Sequence, residues 1–239
     1  MTAEPRLRVL MFHHAGGSGL SYLSLAGRLP GWCDARLFEL SGRGMREDEP
    51  FAPDYTAAVA GLLPHVVEAL DRPAVLFGHS LGGLIAHSVA CALPPSALDL
   101  LATVVVSSAY SPMEAAGMAR HPGAPFQVRT RNQLLAELRG RGGCPPETLR
   151  DPDFVSYALR VLGHDLHLAD TYVPASGAVA DFQVWYGGED PYLTAEQARD
   201  WVGAVARPPL LRAFPGGHFY LTQRPEAGQA LAELAHSLS

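Results

Sequence analysis

The sequence predicts an α/β protein: a mostly parallel central sheet with helices on both faces. Three observations carry this. Short apolar runs alternate with helix-like stretches along most of the chain, the pattern of repeated strand–helix crossovers. The apolar runs show little polar alternation, as strands buried on both faces do not. The run Val75-Leu76-Phe77 stops at Gly78-His79-Ser80-Leu81-Gly82, and an Ala-rich stretch follows. That is the strand–turn–helix setting of a Gly-x-Ser-x-Gly nucleophile elbow.

The elements follow in order. Residues 7–12 form an apolar strand that ends in the loop His13-His14-Ala15-Gly16-Gly17-Ser18. Residues 20–28 read as a helix, 35–40 as the next strand and 55–70 as a long helix. The strand at 74–77 leads through the elbow into a helix at 81–93. Strands at 101–107, 182–186 and 210–214 complete the sheet, with helices at 194–205 and 225–238. The alternation breaks at about 112–180. This stretch opens on a Pro/Gly-rich loop and carries helix-like segments at 132–139 and 147–162. A structureless loop of that length is unusual in a compact domain. It reads as a helical lid inserted into a single domain spanning 1–239. Ligands of such sheets bind beyond the carboxyl ends of the strands, where every motif below falls.

The chain has 239 residues, a size suited to one domain, and 48% hydrophobic residues are enough for a large core. The net charge of -6 offers no basic field for nucleic acid. All 18 basic residues are arginine, which fits a GC-rich coding bias. Cys33, Cys91 and Cys144 are odd in number and far apart. That argues against a disulfide framework or zinc site and for a reducing, cytoplasmic setting. No secretion signal or membrane span is expected. A monomer is the expected state.

A serine hydroxyl needs a base, and the base needs a third group to orient it. In the elbow class the chain order is Ser, acid, His. Ser80 is the expected nucleophile. The strand at 182–186 ends in Gly187-Gly188-Glu189-Asp190-Pro191, and the strand at 210–214 ends in Pro215-Gly216-Gly217-His218. Asp190 is the expected acid, with Glu189 and Asp181 as competitors, and His218 the expected base. His79 is expected to pack or hydrogen-bond beneath the elbow. Oxyanion donors are expected at the backbone N–H of Leu81 and of Ala15. The adjacent His13 and His14 would point to opposite faces of a strand, so no metal site is expected. Met113, Met118, Phe126, Phe154 and Tyr157 are candidates to line an acyl pocket beneath the lid.

Several segments together resemble the type II thioesterases of polyketide and non-ribosomal peptide biosynthesis. They are Phe12-His-His-Ala-Gly-Gly, Leu40-Ser-Gly-Arg-Gly-Met-Arg, Phe77-Gly-His-Ser-Leu-Gly-Gly, Gly188-Glu-Asp-Pro and Phe214-Pro-Gly-Gly-His-Phe. Leu134-Leu-Ala-Glu-Leu-Arg, Gly142-Gly-Cys-Pro-Pro-Glu and the Asp165…Thr171-Tyr172 region extend the match through the insertion. The resemblance implies the α/β-hydrolase fold. It also implies hydrolytic editing of stalled or misprimed acyl groups on the phosphopantetheine thiol of acyl or peptidyl carrier proteins. The protein itself would need no cofactor. The chain departs from the family's common residues at His13 and Ser41 (usually Pro), Leu81 (often Met), Ser88 (often Glu) and Ala109-Tyr110 (often Arg). Carrier proteins are usually acidic. Arg43, Arg46, Arg120, Arg129, Arg131, Arg139 and Arg141 are therefore candidates for a docking patch.

Overall fold

A computed structural model describes residues 5–121, 123–140, 147–175, 177 and 181–238. Arg141, Cys144, the 142–146 segment of the Gly-Gly-Cys-Pro-Pro-Glu motif and the end of the insertion near 180 lie outside the described residues.

Strand β1 spans Leu7–Phe12. A 3₁₀ turn at Gly19–Tyr22 and the one-turn helix α1 (Leu23–Ala26) follow. Strand β2 is Cys33–Phe38 and helix α2 is Tyr55–Ala69. Strand β3 (Ala74–His79) runs into α3 (Leu81–Ala92), and the short α4 (Pro95–Leu98) precedes β4 (Leu101–Ser107). The insertion holds α5 (Pro112–Met118), α6 (Arg131–Gly140) and α7 (Pro152–Asp170). Strand β5 (Phe182–Gly187), α8 (Ala195–Arg199), β6 (Leu210–Phe214), α9 (Tyr220–Gln223) and α10 (Glu226–Ser237) close the fold.

The six strands pair in the order β2-β1-β3-β4-β5-β6, every pairing parallel. Side chains alternate between two cores, as the pleat requires. Leu10, Phe12, Leu76, Val104, Val106 and Val184 pack beneath α2 and α3. Leu7, Val9, Met11, Val75, Phe77, Val105 and Trp185 pack on the opposite face against α10. Burial on both faces explains why these strands read as unbroken apolar runs.

Several elements differ from the sequence expectation; the helix expected at 194–205 is α-helical only over Ala195–Arg199 and continues as a 3₁₀ helix over Asp200–Ala204. β2 begins and ends two residues earlier than 35–40, because its ladder with β1 runs from Leu7↔Cys33 to Phe12↔Phe38. The helix expected at 20–28 breaks into a 3₁₀ turn and a single helical turn. α5 was not expected. Its start signature is Ser111-Pro112-Met113-Glu114, in which the Ser111 hydroxyl accepts the Glu114 N–H at 3.3 Å.

The insertion carries a small core of its own: Leu134 of α6 with Val155, Leu159 and Leu162 of α7. Ala15 of the loop after β1 packs against it. α7 is capped by Asp151, which accepts the N–H groups of Asp153 at 2.9 Å and Phe154 at 3.2 Å. It runs eight residues beyond the expected end at 162, to Asp170.

Candidate active site

β3 delivers Ser80 to the carboxyl edge of the sheet at φ 54°, ψ -119°. This backbone region costs an L-residue on the order of 1–3 kcal/mol. The surroundings hold it there. Ser80 N donates to Ser107 O at 2.8 Å, and Ser80 O accepts Gly83 N–H at 2.9 Å. The flanking glycines make the turn sterically feasible. A Cβ on Gly78 would overlap the carbonyl oxygen of Gly82, and one on Gly82 would overlap that of Phe12. Because α3 starts at Leu81, the N–H groups of Leu81 and Gly82 have no partner within the helix. Beneath the elbow, His79 Nδ1 is 2.9 Å from Ser107 Oγ, which is 2.7 Å from the Tyr220 hydroxyl. His79 thus hydrogen-bonds below the elbow rather than facing the cavity.

The loop after β6 supplies His218 and the loop after β5 supplies Asp190. His218 Nδ1 is 2.9 Å from Asp190 Oδ2, and Asp190 Oδ1 accepts the Tyr192 N–H at 2.9 Å. A carboxylate can only accept, so Nδ1 carries the proton and Nε2 presents a lone pair. Nε2 is buried and makes no hydrogen bond among the described residues. Burial pushes the Asp190 carboxyl up. The bond and charge of His218, with the Tyr192 N–H, outweigh burial and hold it below the ordinary carboxylate range. The competing acids lie elsewhere: Glu189 is exposed, and Asp181 sits before the opposite end of β5, 3.7 Å from Arg207.

Ser80 and His218 line one cavity of about 210 Å³, together with Ala15, Leu81, Ser108, Tyr110, Met118, Leu166 and Tyr192. The Ser80–His218 hydrogen bond is not made. Catalytic bonds of this kind are often long without substrate and tighten in the reacting complex. A second cavity of about 350 Å³ lies between the loop after β1 and the insertion. Leu138, Phe154, Tyr157, Val161, Leu162 and Phe219 line it, and it too includes Ala15. The two cavities therefore adjoin at Ala15.

The five candidate pocket residues separate. Met118 lines the Ser80 cavity, and Phe154 and Tyr157 line the neighbouring one. Met113 is 77% exposed, because α5 turns Pro112 and Ala115 inward instead. Phe126 lies against the His164 and His167 rings on the outside of α7.

The loop after β1 is tightly bound. Leu40 N–H donates to His13 Nε2 at 3.3 Å, so the proton of His13 sits on Nδ1, which donates to His14 O at 2.8 Å. Burial first, then the Arg43 charge, push His13 down to about 3, against an opposing pull from Asp165. Arg43 itself is buried and paired with Asp165, so it is not presented to a partner. Of the other candidate docking arginines, Arg129 pairs with Asp170 and Arg46 with Glu49, while Arg120, Arg131 and Arg139 are exposed. Sequence reasoning missed the Arg43–Asp165 pair. The available signal was an acid at a core-facing position of α7, three residues after Leu162.

A nucleophile elbow at the carboxyl edge of a doubly wound sheet, with a buried His–Asp pair above it, defines an α/β-hydrolase. The chain belongs to the thioesterase family: the model of the Thioesterase domain matches residues 7–238. It is 31% identical to a probable cadicidin biosynthesis thioesterase of Streptomyces griseus over 92% of this chain, and spans 60% of that protein's length. Among solved structures it is similar to the type II thioesterase BorB from the borrelidin biosynthetic cluster (27% identity, TM-score 0.80, covering 98% of this chain and 96% of that one). It is also similar to the RedJ thioesterase of the prodiginine pathway in Streptomyces coelicolor (25% identity, TM-score 0.80, covering 98% and 93%). Among the described residues no helix is long and apolar enough to cross a membrane.

Proposed function

We propose that this chain is a stand-alone editing thioesterase. It would remove stalled or aberrant acyl groups from the phosphopantetheine thiol of acyl or peptidyl carrier proteins, in the cytoplasm and as a monomer. The observation that carries the chemistry is His218. Its Nδ1 is bound to Asp190, its Nε2 is buried without a hydrogen bond among the described residues, and the residue lines the cavity containing Ser80. The carrier-directed reading is supported by the family match and by similarity to the type II thioesterase BorB of the borrelidin biosynthetic cluster.

In this mechanism His218 Nε2 takes the Ser80 proton as Oγ attacks the thioester carbonyl. The oxyanion is received by the N–H groups of Ala15 and Leu81. The imidazolium returns the proton to the departing thiol. Water, deprotonated by the same nitrogen, then releases the acid from Ser80, while Asp190 keeps the imidazole in its tautomer. No cofactor is required beyond the pantetheine arm of the substrate itself. The largely apolar cavity at Phe154 and Leu162 would take acyl chains with modest selectivity, since one methylene is worth only about 1–3 kcal/mol.

The test is mass spectrometry of a panel of short- to medium-chain acyl carrier proteins, incubated with wild type and with Ser80→Ala. Loss of several acyl masses as free acids with wild type only is the expected result. Cleavage of a single acyl chain would point to product release. Cleavage of simple esters with no action on any carrier would make the chain a general esterase.

A further inference from the structure

Arg43 and Asp165 form a charge pair that the chemistry above does not use. Their side chains are 1% and 0% exposed. Arg43 lies in the loop after β2, and Asp165 lies on α7. Two parallel bonds join them: Arg43 Nη1 to Oδ2 at 2.6 Å and Nη2 to Oδ1 at 2.5 Å. Two further bonds leave the pair, and both end on the loop after β1. Asp165 Oδ2 accepts the Gly16 N–H at 2.7 Å, and Arg43 Nη1 donates to Gly17 O at 3.3 Å. Gly16 and Gly17 directly follow Ala15. Leu162, one turn before Asp165 on the same helix, packs against Gly16.

Stability alone is a poor reason to keep such a pair. Replacing a buried ion pair with apolar residues of similar volume is often neutral or stabilising, because desolvation offsets the attraction. What this pair supplies is placement. It grips one N–H and one C=O of the loop whose preceding residue faces both cavities.

We propose that Arg43 and Asp165 are positioning residues for the oxyanion hole, and that they make its completion depend on docking of α7. The pair sets the direction of the Ala15 N–H from behind. Because Asp165 rides on the insertion, the loop is held in its working form only while α7 lies against it. This rests on the assignment of Ser80 and Ala15 given above.

The experiment compares wild type with Arg43→Lys, the neutral pair Arg43→Met/Asp165→Leu, and Ser80→Ala. The substrate is a soluble N-acetylcysteamine thioester. kcat and KM are measured separately, with thermal unfolding and with binding of a trifluoromethyl ketone whose adduct oxygen occupies the oxyanion hole. The neutral pair keeps the core filled but leaves the Gly16 N–H and Gly17 C=O without their partners, so it is expected to fold with a modestly lower unfolding temperature. Its kcat should fall by about 10- to 100-fold with KM unchanged, short of or approaching the roughly 10²- to 10³-fold cost of losing a donor outright. Ketone affinity should fall in parallel, and affinity for the product acid should not. Arg43→Lys keeps the charge and loses the fork, and should show a smaller loss of the same kind. Wild-type kcat in either folded variant overturns the proposal. So does a loss that tracks unfolding temperature or appears only in KM. Should the neutral pair fail to fold, Arg43→Lys decides. Turnover by Ser80→Ala would instead overturn the active-site assignment on which the pair's role rests.

Discussion

Ser80 and Ser108, the residues that follow β3 and β4, share a backbone anomaly: both hold positive φ, 54° and 44°, and both line the cavity that contains His218. Among the described residues they are the non-glycine residues with that conformation. Each is fastened to the adjoining strand, Ser80 N to Ser107 O and Ser108 N to Trp185 O, both at 2.8 Å. The sheet thus carries local strain at two neighbouring strand ends, both bordering the reaction space.

That strain is measurable. Glycine adopts positive φ without penalty. Ser80→Gly is expected to unfold later than Ser80→Ala, by about 1–2 kcal/mol, with both variants inactive. Ser108→Gly is expected to gain a similar amount while retaining turnover. Chemical denaturation alongside a thioester assay reads both effects. Equal stability of the two Ser80 variants would remove strain as the reason for the geometry.

Asp190 accepts the His218 Nδ1–H at 2.9 Å, the contact that would orient the imidazole in the proposed mechanism. Asp190→Asn would leave the loop after β5 in place but reverse the hydrogen-bond logic at Nδ1, favouring the wrong tautomer. The expected loss in kcat is about 10⁴-fold, the size seen when a triad acid becomes an amide. Glu189→Gln, at an exposed position, should change kcat little. A steady-state assay of the two variants side by side separates the acids.

Three depressed groups, His13, His87 and Asp190, give the fold a defined acid response. His13 is pushed down to about 3 in the fold, while an unfolded histidine titrates near its ordinary 6.5. Between those values the unfolded chain binds the extra proton, so stability must fall as pH drops below about 6.5, by about 1.4 kcal/mol per pH unit at most from this group. His87, lowered mainly by burial, adds to the same trend. Asp190 acts in a lower window. Its contribution is present above the ordinary carboxylate range and is lost as pH falls below it. Urea unfolding from pH 7 to pH 4 should show the decline, and His13→Asn should flatten it. A flat wild-type profile would contradict the neutral, buried His13.

Docking of an acidic carrier would use the exposed arginines. Arg131→Glu and Arg139→Glu are expected to lower kcat/KM on acylated carrier protein by several-fold, and more at low salt, since exposed charges are screened. The same variants should hydrolyse N-acetylcysteamine thioesters at the wild-type rate. Equal losses on both substrates would place these arginines outside any carrier interface.

Much of this was legible in the sequence because the chemistry is tied to strand ends. β1, β4 and β6 match the expected 7–12, 101–107 and 210–214, since buried parallel strands are apolar runs that end at turn residues. Asp190 and His218 followed from chain order, and the structure brings them together at 2.9 Å. The Arg43–Asp165 pair was not legible: it joins residues 122 apart, and only tertiary packing brings them together. Arg43 read as a surface charge for the same reason. The outward turn of Met113 also escaped, because the direction of α5 is set by which side meets the sheet, not by its composition.

The strand order has a consequence for how the protein is made. The elbow at Ser80 sits among β1, β3 and β4, all encoded in the first 107 residues, whereas Asp190 and His218 belong to β5 and β6 at one side of the sheet. Ser80 is therefore translated well before His218, the histidine that shares its cavity. The cavity that Ser80 lines gains the His218 imidazole only when the last two strands are added. On the proposed Ser80–His218 chemistry, a chain that stops before His218 carries the elbow without the base and is expected to be inactive.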